Sequence, residues 1–211
     1  MSVKTPRFRH SQGIAIGPIL FVIALLALLA TVMSSGFGDF GVASVADRIS
    51  ADIPSQANLI RAKINECSIK YGTNNNGDSY PASDTTNGTL VSALECEGDP
   101  VGQKNIWSGQ RATVLPQPTT GFNQWYYLNS NGAGMGGNAD GGRCIWITPS
   151  GSNPAGSSAL VTGLTKAASK FSHNTGFSSS AEVVYDPSSS SQKFVMWITL
   201  PTGTPDSNCL P

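Results

Sequence analysis

The sequence predicts an α+β fold: a long N-terminal helix, its first half membrane-embedded, packed on a mainly antiparallel sheet of four to five strands. Three observations carry this expectation. No charged side chain lies between His10 and Asp39. From Val42 the apolar residues recur at three- and four-residue steps, as on one side of a helix. Beyond residue 100 the apolar segments become short and rich in Trp, Tyr, Val and Ile, with strand-like alternation.

A basic leader, 1–13, opens the chain with Lys4, Arg7 and Arg9 and no acid. The apolar run 14–33 comes next. At about 1.5 Å per residue it reaches roughly 30 Å as a helix, the thickness of a bilayer's hydrocarbon core. Three fates fit such a segment. It is a cleaved secretory signal, a plain signal anchor held by the basic leader, or a segment retained whole after a cut in front of it.

The third fate resembles a known family. Ser11-Gln12-Gly13 closes a short basic leader directly before an apolar helix, and this pattern is similar to the class III signal of type IV pilins and pseudopilins. The resemblance covers the chain to about Tyr71. It implies cleavage after Gly13 by a prepilin peptidase, N-methylation of Ile14, and assembly with other pilin-like subunits through N-terminal helices. The family usually carries Glu at the fifth residue after the cut, where this chain has Pro18. That Glu is associated with docking on a neighbour's N-terminus, and pseudopilins at filament tips can lack it. The resemblance therefore implies a minor or tip-located structural subunit of a type IV pilus or a type II secretion pseudopilus. It also implies residence in the bacterial inner membrane, single-pass with an exported C-terminal domain, and in an extracellular filament after assembly. The alternative is a monomeric, signal-anchored binding domain in the periplasm or on the cell surface.

The rest of the chain reads in order. A Gly/Ser-rich break is expected at 34–41, where Gly36, Gly38 and Gly41 each cost helix stability of about 1 kcal/mol relative to Ala. An amphipathic helix over 42–71 carries the stripe Val42, Val45, Ile49, Ile53, Ala57, Ile60, Ile64, Cys67 and Tyr71, and Pro54 should kink or restart it. The segment 72–211 then forms a globular domain packed with 42–71. Its pattern predicts a short helix at 89–96, capped by Asn87 or Thr89, and a second helix at 158–171 that Gly163 weakens. Strands are expected at 105–115, 122–128, 143–148, 181–185 and 193–200, the last half-covered. A hairpin loop at Asp186-Pro187 and the serines after it joins the last two.

Cys67, Cys96, Cys144 and Cys209 all lie beyond the apolar run, and an even count in an exported domain predicts two disulfides with three possible pairings. Cys67 with Cys96 would pin the long helix to the segment after it; Cys144 with Cys209 would tie a strand to the C-terminus. The chain holds 13 Lys and Arg against 13 Asp and Glu, three of the basic ones in the leader. The remainder of the chain has 10 against 13, a balance of −3 that does not point to nucleic acid.

Chemistry-bearing motifs are sparse. Gly132 to Gly137 matches G-x-G-x-x-G, but a strand rather than a helix is expected after it and no acid occurs between 141 and 181, so it reads as a hairpin loop. Asn129, Asn131 and Asp140, around the Gly-rich loop 131–142, offer oxygens to calcium with a single carboxylate, a thin charge supply. Asn87-Gly88-Thr89 is a glycosylation sequon. Trp107, Trp125, Tyr126, Tyr127, Trp146 and Trp197 suit either a sugar-stacking surface or a core, and strand aromatics favour the core. His173 is the one histidine after the leader and has no triad signature around it. The expectation is a non-enzyme without a cofactor or metal.

Overall fold

The structure is a computed structural model that describes residues 16–71, 80–84, 86–109, 112–130, 141–151 and 157–211; within the first helix, the side chains of 16–20, 28–40 and 71 are not described. The chain divides into two compact units, Met1–Val42 and Ala43–Pro211. Helix α1, Ile16–Tyr71, contributes to both.

The second unit is built on a six-stranded sheet. Its strands are β1 (Thr89–Leu90), β2 (Tyr126–Asn129), β3 (Arg143–Ile147), β4 (His173–Asn174), β5 (Val183–Val184) and β6 (Phe194–Thr199), in the order β1-β2-β3-β6-β5-β4. All pairings are antiparallel except β4 with β5, which is parallel. Helix α2, Ser158–Ala168, links β3 to β4.

Period-two alternation sends the strand side chains into two clusters. Tyr127, Ile145, Ile147, Val183, Phe194, Met196 and Ile198 share a core with α1 residues Ile49, Ile53, Ala57, Ile60 and Ile64 and α2 residues Leu160 and Leu164. Leu128, Cys144, Trp146, Val184, Val195 and Trp197 form the second cluster, closed by Cys209 and by the partly buried Tyr126 and Phe177. Each fully buried Ile contributes about 1.5–3 kcal/mol of burial free energy.

Several expectations are corrected. Among the described residues no helix is long and apolar enough to cross a membrane, which overturns the membrane-embedded first half; of the apolar run only the side chains 21–27 are described, about two turns. The sheet has six strands rather than the expected four to five, and one parallel pairing among its antiparallel ones makes it mixed. The two-residue strands β1 and β4 are too short to leave an alternation in sequence, and β4 supplies the parallel pairing. No strand forms over the described part of 105–115; Asn105 makes a single bridge to Glu95. The segment at 89–96 is β1 followed by a 3₁₀ turn, Val91–Ala93, because Asp84 rather than Asn87 or Thr89 organises the turn before it by accepting the N–H groups of Thr86 and Asn87. Strand β6 is buried on both faces, not half-covered.

The α1 backbone is helical through residues 34–41 and through Pro54. Proline at 54 frees the carbonyl four residues back, that of Ser50. Lys170, just past α2, donates its Nζ to that oxygen, so the helix continues without an orphan acceptor. Gly163 likewise has a packing role. A Cβ there would lie 2.7 Å from Ile49 Cβ and 3.0 Å from the Ala46 carbonyl. The expected weakness of α2 is the close approach that seats it on α1, and Lys166 pairs with Asp47 at 2.8 Å beside the contact. Gly163→Val should therefore lower the unfolding free energy by about 1–3 kcal/mol, the usual cost of overpacking, measurable by urea denaturation. An unchanged midpoint would show that the two helices do not meet this closely.

Candidate functional site

Two features stand out: the apolar start of α1 and the disulfide-tied C-terminus. Phe21, Val22, Ile23, Leu25 and Leu26 are 48–67% exposed, and Ala24 and Ala27 between them are exposed too. Seven consecutive residues at about 100° per residue point in every direction around the axis. A helix that is apolar all round is normally buried in a core, a bilayer or a bundle. Pro18 lies within the described part of α1. Gly13 and Ile14 lie outside the described residues, as do Asn131 and Asp140 of the Gly-rich loop.

Both disulfides are present, in the expected pairing: Cys67–Cys96 and Cys144–Cys209, each with Cα atoms 5.8 Å apart. Cys67 is on α1 and Cys96 comes just after the 3₁₀ turn. The second bond joins β3 to a C-terminal 3₁₀ turn, Ser207–Cys209. Several further ties hold that terminal strap. Asp206 accepts the Asn208 N–H at 2.8 Å, the Asn208 amide donates to the Thr86 carbonyl at 3.0 Å, and Lys193 donates its Nζ to the carbonyls of Asn208 and, at 2.9 Å, Leu210. The Lys193 ammonium also sits 5.2 Å from the centre of the Trp146 ring.

The aromatic residues and Asn129 lose their functional reading to packing. Trp107, Trp125, Tyr127, Trp146 and Trp197 are buried, and Tyr126 stacks on Trp146 at 5.5 Å, so no sugar-binding platform is exposed by these residues. Asn129 is fully buried and spends its amide on the Pro81 carbonyl at 3.1 Å. Among the described residues no group of three His, Cys, Asp or Glu could hold a metal. His173 is exposed on the sheet-edge strand β4. The sequon residue Asn87 is exposed, but the Thr89 hydroxyl is engaged by the Asp84 N–H at 2.9 Å. A cleft of about 170 Å³ beside Val91, Leu115, Pro116 and Trp125 is lined by no acid, base or thiol.

Two polar residues give little sign of their roles in sequence. Gln56 is buried, accepts the Trp125 indole N–H at 2.8 Å and donates to the Gln117 carbonyl at 2.9 Å, fixing the extended segment around 117–119 to α1. A glutamine between Ile53 and Ile60 on an apolar stripe is the one signal that could have found it. Lys193 has none, being a single lysine at the start of a strand.

The chain matches no family model, no curated protein and no solved structure.

Burial lowers the Lys193 pKa from its ordinary 10.5 to about 8, with the Asp206 carboxylate opposing the shift. The sign follows from proton binding. Between pH 8 and 10.5 the unfolded chain holds a proton that the folded chain has released, so this residue adds stability as pH rises and loses it as pH falls through 8. The neutral amine keeps two N–H donors for its two carbonyls. Stability of the protein minus that of Lys193→Met should therefore increase from pH 8 to 10.5 in paired denaturation curves. A flat difference would show that Lys193 is solvated, and a falling one that the fold holds its proton more tightly than the unfolded chain does; either would contradict the depressed pKa.

Proposed function

We propose that this chain is a non-enzymatic, pilin-like structural subunit, minor or tip-located, of a type IV pilus or type II secretion pseudopilus. The observation that carries the reading is the run of exposed apolar side chains at 21–27, in a charge-free stretch that begins directly after a basic leader ending in Gly13. Such a surface calls for a partner, and helices of like subunits supply one in a filament core. The disulfide-held unit after it suits an oxidising, exported location between the bacterial inner membrane and the cell surface. A prepilin peptidase would be the processing partner.

Pro18 supports the minor role. A carboxylate buried among apolar helices needs a positive partner, and a neighbour's free N-terminus provides it in the usual arrangement. Pro18 has neither charge nor donor, so this subunit does not make that contact with the one below it. Its own processed N-terminus can still receive a Glu from another subunit.

Quantitative mass spectrometry of sheared filaments from a host with the peptidase tests both points. The expected result is an N-terminal peptide beginning at N-methylated Ile14, at low abundance beside a main pilin. A terminus at Thr31 would mean an ordinary secretory signal, and an uncut chain a signal-anchored binding domain. This chain as the dominant repeating subunit would overturn the minor assignment.

A further inference from the structure

The two disulfides differ in what brings their cysteines together. Cys67 and Cys96 are 29 residues apart, whereas Cys144 and Cys209 are 65 apart, with Cys209 two residues from the chain's last residue. Random closure of the longer loop is roughly threefold less probable, and the strap offers little burial of its own to offset it. Cys144 and Cys209 are both fully buried once joined, so neither meets an oxidant while the strap is seated.

Lys193 is placed to solve this. It lies immediately before β6, whose register sets Trp197 against Cys144 on β3. Its Nζ bonds the carbonyls of Asn208 and Leu210, the two residues that flank Cys209. The groups around the ammonium are the Trp146 ring on β3, the Asp206 carboxylate on the strap and those two carbonyls. The hairpin behind it is tied by side-chain hydrogen bonds. Gln192 is held at φ +47° by its amide bonds to the carbonyls of Pro187 and Ser189, and its Oε1 accepts the Tyr185 hydroxyl.

We propose that Lys193 is a positioning residue for disulfide closure: it seats the C-terminal strap so that Cys209 meets Cys144. The step is thiol–disulfide exchange with a disulfide donor. With the strap lifted, the Cys209 thiolate attacks the donor and forms a mixed disulfide, releasing one donor thiolate. Lys193 then captures the carbonyls on either side of Cys209. The Cys144 thiolate attacks Cys209 Sγ and expels the second donor thiolate. Two protein thiols are oxidised and one donor disulfide is reduced to two thiols. The Cys67–Cys96 bond, which Lys193 does not touch, closes independently.

The test is oxidative refolding of the reduced chain in a glutathione buffer, followed by acid-quenched, non-reducing peptide mapping. In Lys193→Met, Cys67–Cys96 should form at the unaltered rate while Cys144–Cys209 closes at least about tenfold more slowly, with Cys209 accumulating as its glutathione adduct. Lys193→Arg, which keeps the charge and donors, should restore most of the rate. Equal closure of Cys144–Cys209 in Lys193→Met and the unaltered chain would overturn the proposal. So would equal slowing of both bonds, which would mark a general loss of fold, and so would an Arg variant no better than Met.

Discussion

The globular unit depends on one constraint, that the isoleucine stripe of α1 be covered. Ile49, Ile53, Ile60 and Ile64 are essentially inaccessible to water, and the sheet alone does not enclose them. Helix α2 completes the cover by crossing at Ile49, where Gly163 removes the side chain that would hold the helices apart. The same crossing accounts for two apparent faults in the sequence. Gly163 looks like a helix breaker until its position is known, and Pro54 looks like a kink until Lys170 is seen to engage the carbonyl that it frees.

The opposite face of the sheet is closed by different means. No helix covers it among the described residues; its aromatic and aliphatic side chains are sealed by Phe177 and by the terminal strap with Cys209. A short strap buries little area by itself, and this explains why a disulfide, a cap at Asp206 and the Lys193 clamp converge on it. Both faces are thus buried, but one relies on regular helix packing and the other on covalent and polar ties.

Legibility in the sequence came from period and count. The stripe from Ile49 to Cys67, strands β3 and β6, helix α2 and the presence of two disulfides were readable because each rests on several residues repeating one pattern or on an even count of cysteines, whereas which of the three pairings forms is decided by the fold. Thr89–Leu90 and His173–Asn174 were not, since two residues carry no period and their pairing is decided by neighbours distant in sequence. The segment at 105–115 misled because Trp107 and Val114 are strand-favouring types. In the fold Trp107 turns inward to bond the Val91 carbonyl at 2.6 Å and Val114 is left 86% exposed. Of the candidate site, the apolar stretch was plain from the absence of charge, whereas Lys193 acts only through groups that tertiary structure assembles.

The proposed reading requires a division of labour: the unit Ala43–Pro211 would fold by itself, and the exposed apolar helix surface before it would be covered by other chains. Sedimentation of two oxidised proteins, 43–211 and 14–211, in detergent-free buffer puts that division to the test. The expected outcome is a folded monomer for 43–211, with both disulfides formed, and association of 14–211 through residues 14–42. A monomeric 14–211, or a 43–211 that associates equally, would contradict it.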